Sequence, residues 1–219
     1  MINLPVGIAV VYADDAMVVL DKPAGLLSVP GRGADKQDCL SSRAALHYAD
    51  ASIVHRLDMA TSGLLLMARG AENQRRLGMA FANRQIQKCY EALVDGLIEP
   101  TVNPDDWQRI DLSIALDWPR RPLRIIDPCH GKSSQTLWHA VASDIGQHTS
   151  RLLLKPVTGR SHQLRVHLAA VGLPILGDTL YAPSDVVKRS TRLLLHATRL
   201  NFSHPVSGEP MQFVSPAPF

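Results

Sequence analysis

An arginine and a carboxylate two positions apart, Arg56 and Asp58, stand in a short polar stretch wedged between apolar ones. The stretch reads His55-Arg56-Leu57-Asp58-Met59-Ala60-Thr61-Ser62-Gly63 and runs straight into Leu64-Leu65-Leu66-Met67-Ala68. A charged turn at the end of core strands holds its side chains more rigidly than a free loop, which suits a carboxylate acting as nucleophile or base. The same spacing fits an aspartate that merely caps amides of its own turn. Both readings stand on spacing alone. A second cluster, His162, His167, His196 and Asp178, has the residue types of a metal site. Yet His162 and His167 are five apart where two ligands on one helical face want three or four, and there is no HExxH or CxxC pair. No metal is expected.

The elements that must position these groups are those of a globular chain. Of 219 residues, 46% are apolar and 20% charged, which excludes bulk disorder. The longest apolar runs, at 8–13 and 64–68, fall far short of the roughly 20 residues of a membrane-spanning helix. Residues 1–12 carry no Lys or Arg ahead of their apolar stretch and so lack a secretory signal. Cys39, Cys89 and Cys129 are widely spaced and odd in number, as in a reducing compartment, and a cytoplasmic protein is expected. Net charge is only +3, but residues 118–200 hold 12 basic against 4 acidic residues, and 17 of the 23 basic residues are Arg. The planar guanidinium suits phosphate oxygens and base stacking, so this basic half points to nucleic acid.

Apolar periodicity predicts a hairpin of strands 8–12 and 17–21, strands at 53–57 and 64–67 flanking the Asp58 turn, and a strand over 88–94. It further predicts strands at 137–142 and 151–157 and late strands at 193–197 and 200–202. Helices are expected over 39–49 and 72–84, and after Ser161, which can cap a helix stopped by Gly172 and Pro174. Residues 100–128, rich in Pro and Trp, read as an irregular insertion or connecting arm. With strands outnumbering helices and no repeated βαβ unit, the expected class is α+β, with a mixed, largely antiparallel sheet flanked by helices and loops.

The stretch 55–68, HRLDMATSGLLLMA, resembles the signature HRLDxxTSGLLLxA of the RluA-type pseudouridine synthases. Further segments match in the family's order: Asp21-Lys22-Pro23-Ala24-Gly25-Leu26, then 88–96 (KCYEALVDG), then 154–167 (LKPVTGRSHQLRVH) with 172–178 (GLPILGD) and Tyr181, then 192–197 (RLLLHA). The resemblance covers nearly the whole chain. It implies a single catalytic domain over 1–219 without the N-terminal S4 RNA-binding domain of many relatives. The implied enzyme isomerises a specific uridine in structured RNA to pseudouridine by base flipping and needs no cofactor.

By the same resemblance, Asp58 starts cleavage of the N-glycosidic bond, Tyr90 stacks on the uracil, and Arg165 favours the ionised form of Asp58. Arg56 fills the space left by the flipped base, Leu195 floors the pocket, and His55, Lys88, Arg160, His162 and Gln163 touch RNA or support the site. Met59-Ala60 replaces a charge found in many relatives, and Tyr181-Ala182-Pro183 lacks a common Gly; with 117–122 (DWPRRP), these features are similar to a dual-specificity branch. Its members act on 23S ribosomal RNA and on the anticodon stem-loop of transfer RNA, so RNA is the expected partner of a monomeric protein that binds no membrane. A non-catalytic RNA-binding or RNA-folding module with the same fold is the alternative.

Overall fold

The computed structural model describes residues 2–4 and 7–219. Two compact units emerge, one comprising Met1–Lys88 with His196–Pro218, the other Cys89–Leu195 with Phe219. In the first, β1 (Ile2–Leu4), β2 (Ile8–Ala13) and β3 (Met17–Lys22) form an antiparallel meander. The β2–β3 turn forms because Asp14 accepts the Ala16 and Met17 N–H groups, each at 2.8 Å, while Tyr12 and His204 hold its other oxygen. Helix α1 (Leu40–Ala45) is short, its first turn capped by the buried Cys39 sulfur, which accepts from the Ser42 amide. Then come β4 (Ala51–Ile53), β5 (Ser62–Arg69) and α2 (Ala71–Ala82).

Strand β5 is the spine of this unit. It pairs antiparallel with β3 and β4, while its first residues pair parallel with the returning β12 (Leu195–Ser203), to which β13 (Pro210–Val214) adds an edge. Leu64, Leu66 and Ala68 pack with Met17, Val19, Leu77 of α2, Phe202 and Phe213, and Leu65 and Met67 are equally buried on the opposite face. A strand covered on both faces reads as an unbroken apolar run, which is how it appears in the sequence.

The chain enters the second unit within β6 (Gln87–Asp95) and leaves it at the start of β12. Here β7 (Gln108–Asp111), β10 (Gln135–Asp144) and β11 (Thr149–Pro156) pair antiparallel, with β11 continuing onto β6. Strands β8 (Ile114–Leu116) and β9 (Arg124–Ile126) form a separate hairpin, so the expectation of an irregular arm over 100–128 is corrected. Three short strands form there. The tip is organised by Asp117, which receives the Arg120 side chain at 2.7 Å, and Arg121 lies over the exposed Trp118 ring. Helices α3 (Gln163–Ala170) and α4 (Ser184–Val187) complete the unit.

Three further expectations are corrected. Residues 54–57 are irregular rather than strand, because Leu57 bonds through both its N–H and C=O to the Ser28 hydroxyl instead of to a neighbouring strand. The late strands are one, β12. Helix α3 begins after His162, which adopts left-handed φ 58°, not after Ser161: no side chain caps it, and the Gln163 amide oxygen takes the Arg160 N–H of the preceding loop at 3.0 Å. The sheet is mixed and largely antiparallel, as expected for α+β.

Gly63 is where β5 meets β12. Its φ is +108°, and a Cβ there would stand 2.4 Å from the Ala197 carbonyl oxygen, in backbone that cannot swing away. Strain and overpacking each amount to 1–3 kcal/mol, so Gly63→Ala should lower unfolding free energy by about 3 kcal/mol. Urea denaturation measures this; a loss below about 1 kcal/mol would mean the close approach is not real.

Candidate active site

Asp58 sits half-buried in the irregular stretch between β4 and β5, on a turn closed by the Thr61 N–H donating to the Asp58 main-chain oxygen at 3.1 Å. What holds this turn is Lys22. Its side chain is fully buried at the end of β3, opposite Gly63, and its amine donates to the carbonyls of Pro23 (2.9 Å), Leu26 (2.7 Å) and Met59 (3.1 Å). Three carbonyls match the three donors of a lysine head, and buried polar groups persist only when satisfied in this way. The Gly25 N–H also donates to Met59 O at 2.9 Å, tying the 23–26 loop to the residue after Asp58. Arg56, by contrast, is exposed.

His55 faces the strand rather than solvent. Its Nε2 accepts the Leu66 N–H at 2.8 Å, and its ring stacks on Phe81 of α2 with centroids 4.5 Å apart. An accepting Nε2 requires the neutral ring. Burial, reinforced by the charge of Lys88, pushes the His55 pKa down to about 3, and burial also holds Lys88 below the ordinary lysine range. Behind the turn, the Ser62 hydroxyl lies 2.8 Å from His196 Nδ1, His196 Nε2 lies 3.1 Å from the Ser215 hydroxyl, and Ser215 donates to Asp21 at 2.5 Å. This buried polar chain joins β5, β12, the segment after β13 and β3.

In the second unit, Arg165 on α3 is 4% exposed and forms a fork with Asp178, 1% exposed, at 2.8 and 2.5 Å. Buried bridges of this kind fix geometry, and removing one partner leaves a stranded charge worth about 3–5 kcal/mol. Asp178 also accepts the Leu180 and Tyr181 N–H groups, and Arg165 stands over the Tyr181 ring at 5.1 Å from its centroid. The Tyr181 hydroxyl lies 2.6 Å from His162 Nδ1. Gln163 is buried with its whole amide engaged: the oxygen accepts from the Thr158 hydroxyl and Arg160 N–H, the nitrogen donates to Gln135 O and Thr136 Oγ1. Tyr90 lies on β6 opposite Leu154, half-buried; Leu195, at 3% exposure, opens β12; Arg160 is exposed.

Thus the first unit gathers His55, Arg56, Asp58 and Lys88, and the second gathers Tyr90, Arg160, His162, Gln163, Arg165 and Leu195. The imidazoles of the suspected metal cluster are otherwise occupied: His167 lies against Thr136 Oγ1 and Leu112 O, and His162 and His196 have the partners above. Sequence reasoning did not single out Lys22, Asp178 or Tyr181 as site-building residues. For Asp178 and Tyr181 a signal was present: an aspartate and a tyrosine three apart in the loop following α3.

Residues 16–170 match the family model described as RNA pseudouridylate synthase. The chain belongs to the RNA pseudouridylate synthase family. It is 44% identical over 97% of its length to the dual-specificity RNA pseudouridine synthase RluA of Escherichia coli O6:H1, covering 94% of that protein. Against the protein of the same name from Yersinia pestis it is 42% identical, covering 96% of this chain and 99% of the relative. Among solved structures it resembles human RNA pseudouridylate synthase domain containing 1, with TM-score 0.80 and 28% identity over all of this chain and 87% of the other. The chain is therefore an isomerase of the pseudouridine synthase class.

The neutral His55 yields a pH signature. Unfolded histidine takes up a proton near pH 6.5, the folded ring only near pH 3, so the unfolded state binds the extra proton between these values. Stability from this group is full above pH 6.5 and falls with pH, by at most about 1.4 kcal/mol per unit, until about pH 3. In His55→Gln, whose amide oxygen can accept the Leu66 N–H, that slope should disappear from urea midpoints taken at pH 7, 6 and 5. An unchanged slope would contradict the buried neutral ring.

Proposed function

We propose that this isomerase converts a specific uridine in structured stem-loop RNA to pseudouridine, in 23S ribosomal RNA and in the anticodon stem-loop of transfer RNA. The dual specificity printed in the names of relatives 42–44% identical over nearly their full length supports that substrate pair. The enzyme acts as a monomer in the cytoplasm; the free state of Cys39, Cys89 and Cys129 agrees with a reducing compartment. No helix among the described residues is long and apolar enough to cross a membrane.

In this reading the target nucleotide is extruded from the RNA, at a few kcal/mol, before chemistry begins. Asp58 initiates rupture of the bond between uracil N1 and the ribose C1′; the base turns, C5 bonds to C1′, the C5 hydrogen leaves as a proton, and N1 takes up a proton. Tyr90 stacks on the uracil, Arg165 contributes the positive charge of the site, and Leu195 floors the pocket. Arg56, exposed beside Asp58, takes the vacated place in the RNA, where its plane can stack and its donors reach base edges. His55 and Gln163 support the site through the buried bonds described above, while Lys88, Arg160 and His162 face the RNA or hold residues that do.

The single observation that carries this reading is Asp58 on a turn clamped by a buried lysine, inside a family whose reaction needs a fixed carboxylate. The test uses stem-loop RNA carrying tritium at uridine C5. Wild type should release tritium, and Asp58→Ala should lose at least about a hundredfold in rate while retaining RNA binding. Equal release by both proteins would remove Asp58 from the chemistry, and no release by either, with RNA bound, would leave a binding module.

A further inference from the structure

A cleft of about 390 Å³ opens in the second unit between the β8–β9 hairpin and the loop leading into α3. Arg124, His130, Lys132, Arg160, Gly159 and Ser161 contribute to its walls. Five other arginines of this unit, Arg109, Arg120, Arg151, Arg165 and Arg189, each bridge a carboxylate. Around the cleft, among the described residues, Arg124, Lys132 and Arg160 have no carboxylate within ion-pair distance. Asp127 lies 3.4 Å from His130 and spends an oxygen on the Cys129 and His130 amides. Arg124 is the sharpest case, because its Nη1 is shielded from solvent with no hydrogen-bond partner.

Like charges gathered without counter-charges repel one another, so a fold keeps such a cluster only where an anion joins it. The backbone beneath is held firmly. Lys132 exchanges both main-chain hydrogen bonds with Ile114, at 2.9 and 3.0 Å, and Arg160 reaches back to Ser133 O. The Arg124 N–H donates to the Tyr181 hydroxyl at 3.0 Å, and Arg165 stands over that same Tyr181 ring. The main chain of a cleft residue is therefore bonded to the residue cluster around Arg165.

We propose that this cleft grips the sugar-phosphate backbone of the RNA substrate, with Arg124, Lys132 and Arg160 neutralising one or two phosphates. The volume suits a sugar-phosphate unit, and the predominance of cationic side chains in the walls, with no Phe, Tyr or Trp among them, argues for phosphate rather than base recognition. This site sets the register of the strand on α3, so it governs how tightly and where RNA is held. It rests on the reading of the chain as an RNA-modifying enzyme.

The test compares wild type with the double variant Arg124→Gln, Lys132→Gln in binding the stem-loop over a range of salt concentrations. Losing two phosphate contacts should weaken binding about tenfold at low salt and reduce the slope of log K against log salt by about 1.4. The charge-preserving pair Lys132→Arg and Arg160→Lys should retain the slope, as should Lys36→Gln with Lys188→Gln, two exposed lysines outside the cleft. RNA with single methylphosphonate linkages locates the contact: one or two linkages should weaken wild type and cost the double variant nothing more. An unchanged slope in a folded double variant, or linkages that weaken both proteins equally, would overturn the proposal. Tritium release by wild type is scored separately, so failure of the cleft and failure of the isomerase reading are distinguishable.

Discussion

The Asp58 turn depends on one buried amine. Lys22 leaves β3 with its side chain fully inside the protein, and its three donors gather the carbonyls of Pro23, Leu26 and Met59 around a single point. Residues 54–61 have no ladder of their own, so without this convergence the carboxylate would ride on a loop. The cost of burying a lysine head is offset only because every donor is used, and the same condition makes the arrangement intolerant of change. Ser28, which bonds Leu57 at both ends, and Gly25, which donates to Met59, extend the clamp on either side. A carboxylate proposed to start the reaction on an extruded nucleotide needs this fixed footing.

The second unit answers the same demand with charge pairs. Asp178 orients the Arg165 guanidinium with both oxygens, while its Oδ1 also takes the Leu180 and Tyr181 amides, so helix α3 and the loop after it are locked by one carboxylate. Gly177 precedes it with φ +72°, and a Cβ there would collide with the Arg192 carbonyl. Gln163 does the equivalent for the loop before α3. The first turn of the helix that carries Arg165 is thereby held by buried polar side chains rather than by apolar packing alone.

Much of this was legible in the sequence. The run 64–68 announced a strand buried on both faces, and the signature around Asp58, with those at 88–96, 154–167 and 192–197, pointed to the family. What escaped was decided by side chain to backbone bonds that periodicity cannot register. Leu57 looked like strand because it is apolar, but its partner is the Ser28 hydroxyl. Ser161 looked like a cap, but Gln163 captures the Arg160 amide. Residues 100–128 looked irregular because their strands are only three or four residues long and interrupted by Pro. Lys22 was visible only as part of a motif, since nothing in a strand pattern says that a lysine points inward.

Hydrogen exchange tests the clamp most directly. In Lys22→Met, a replacement of similar length that fits an apolar interior, the Gly25 and Thr61 amides should exchange at least about tenfold faster than in wild type, with the β5 amides of Leu64 to Met67 still protected. Unchanged protection at Gly25 and Thr61 in a folded Lys22→Met protein would show that the Asp58 turn stands without the buried amine, and would contradict this account at its centre.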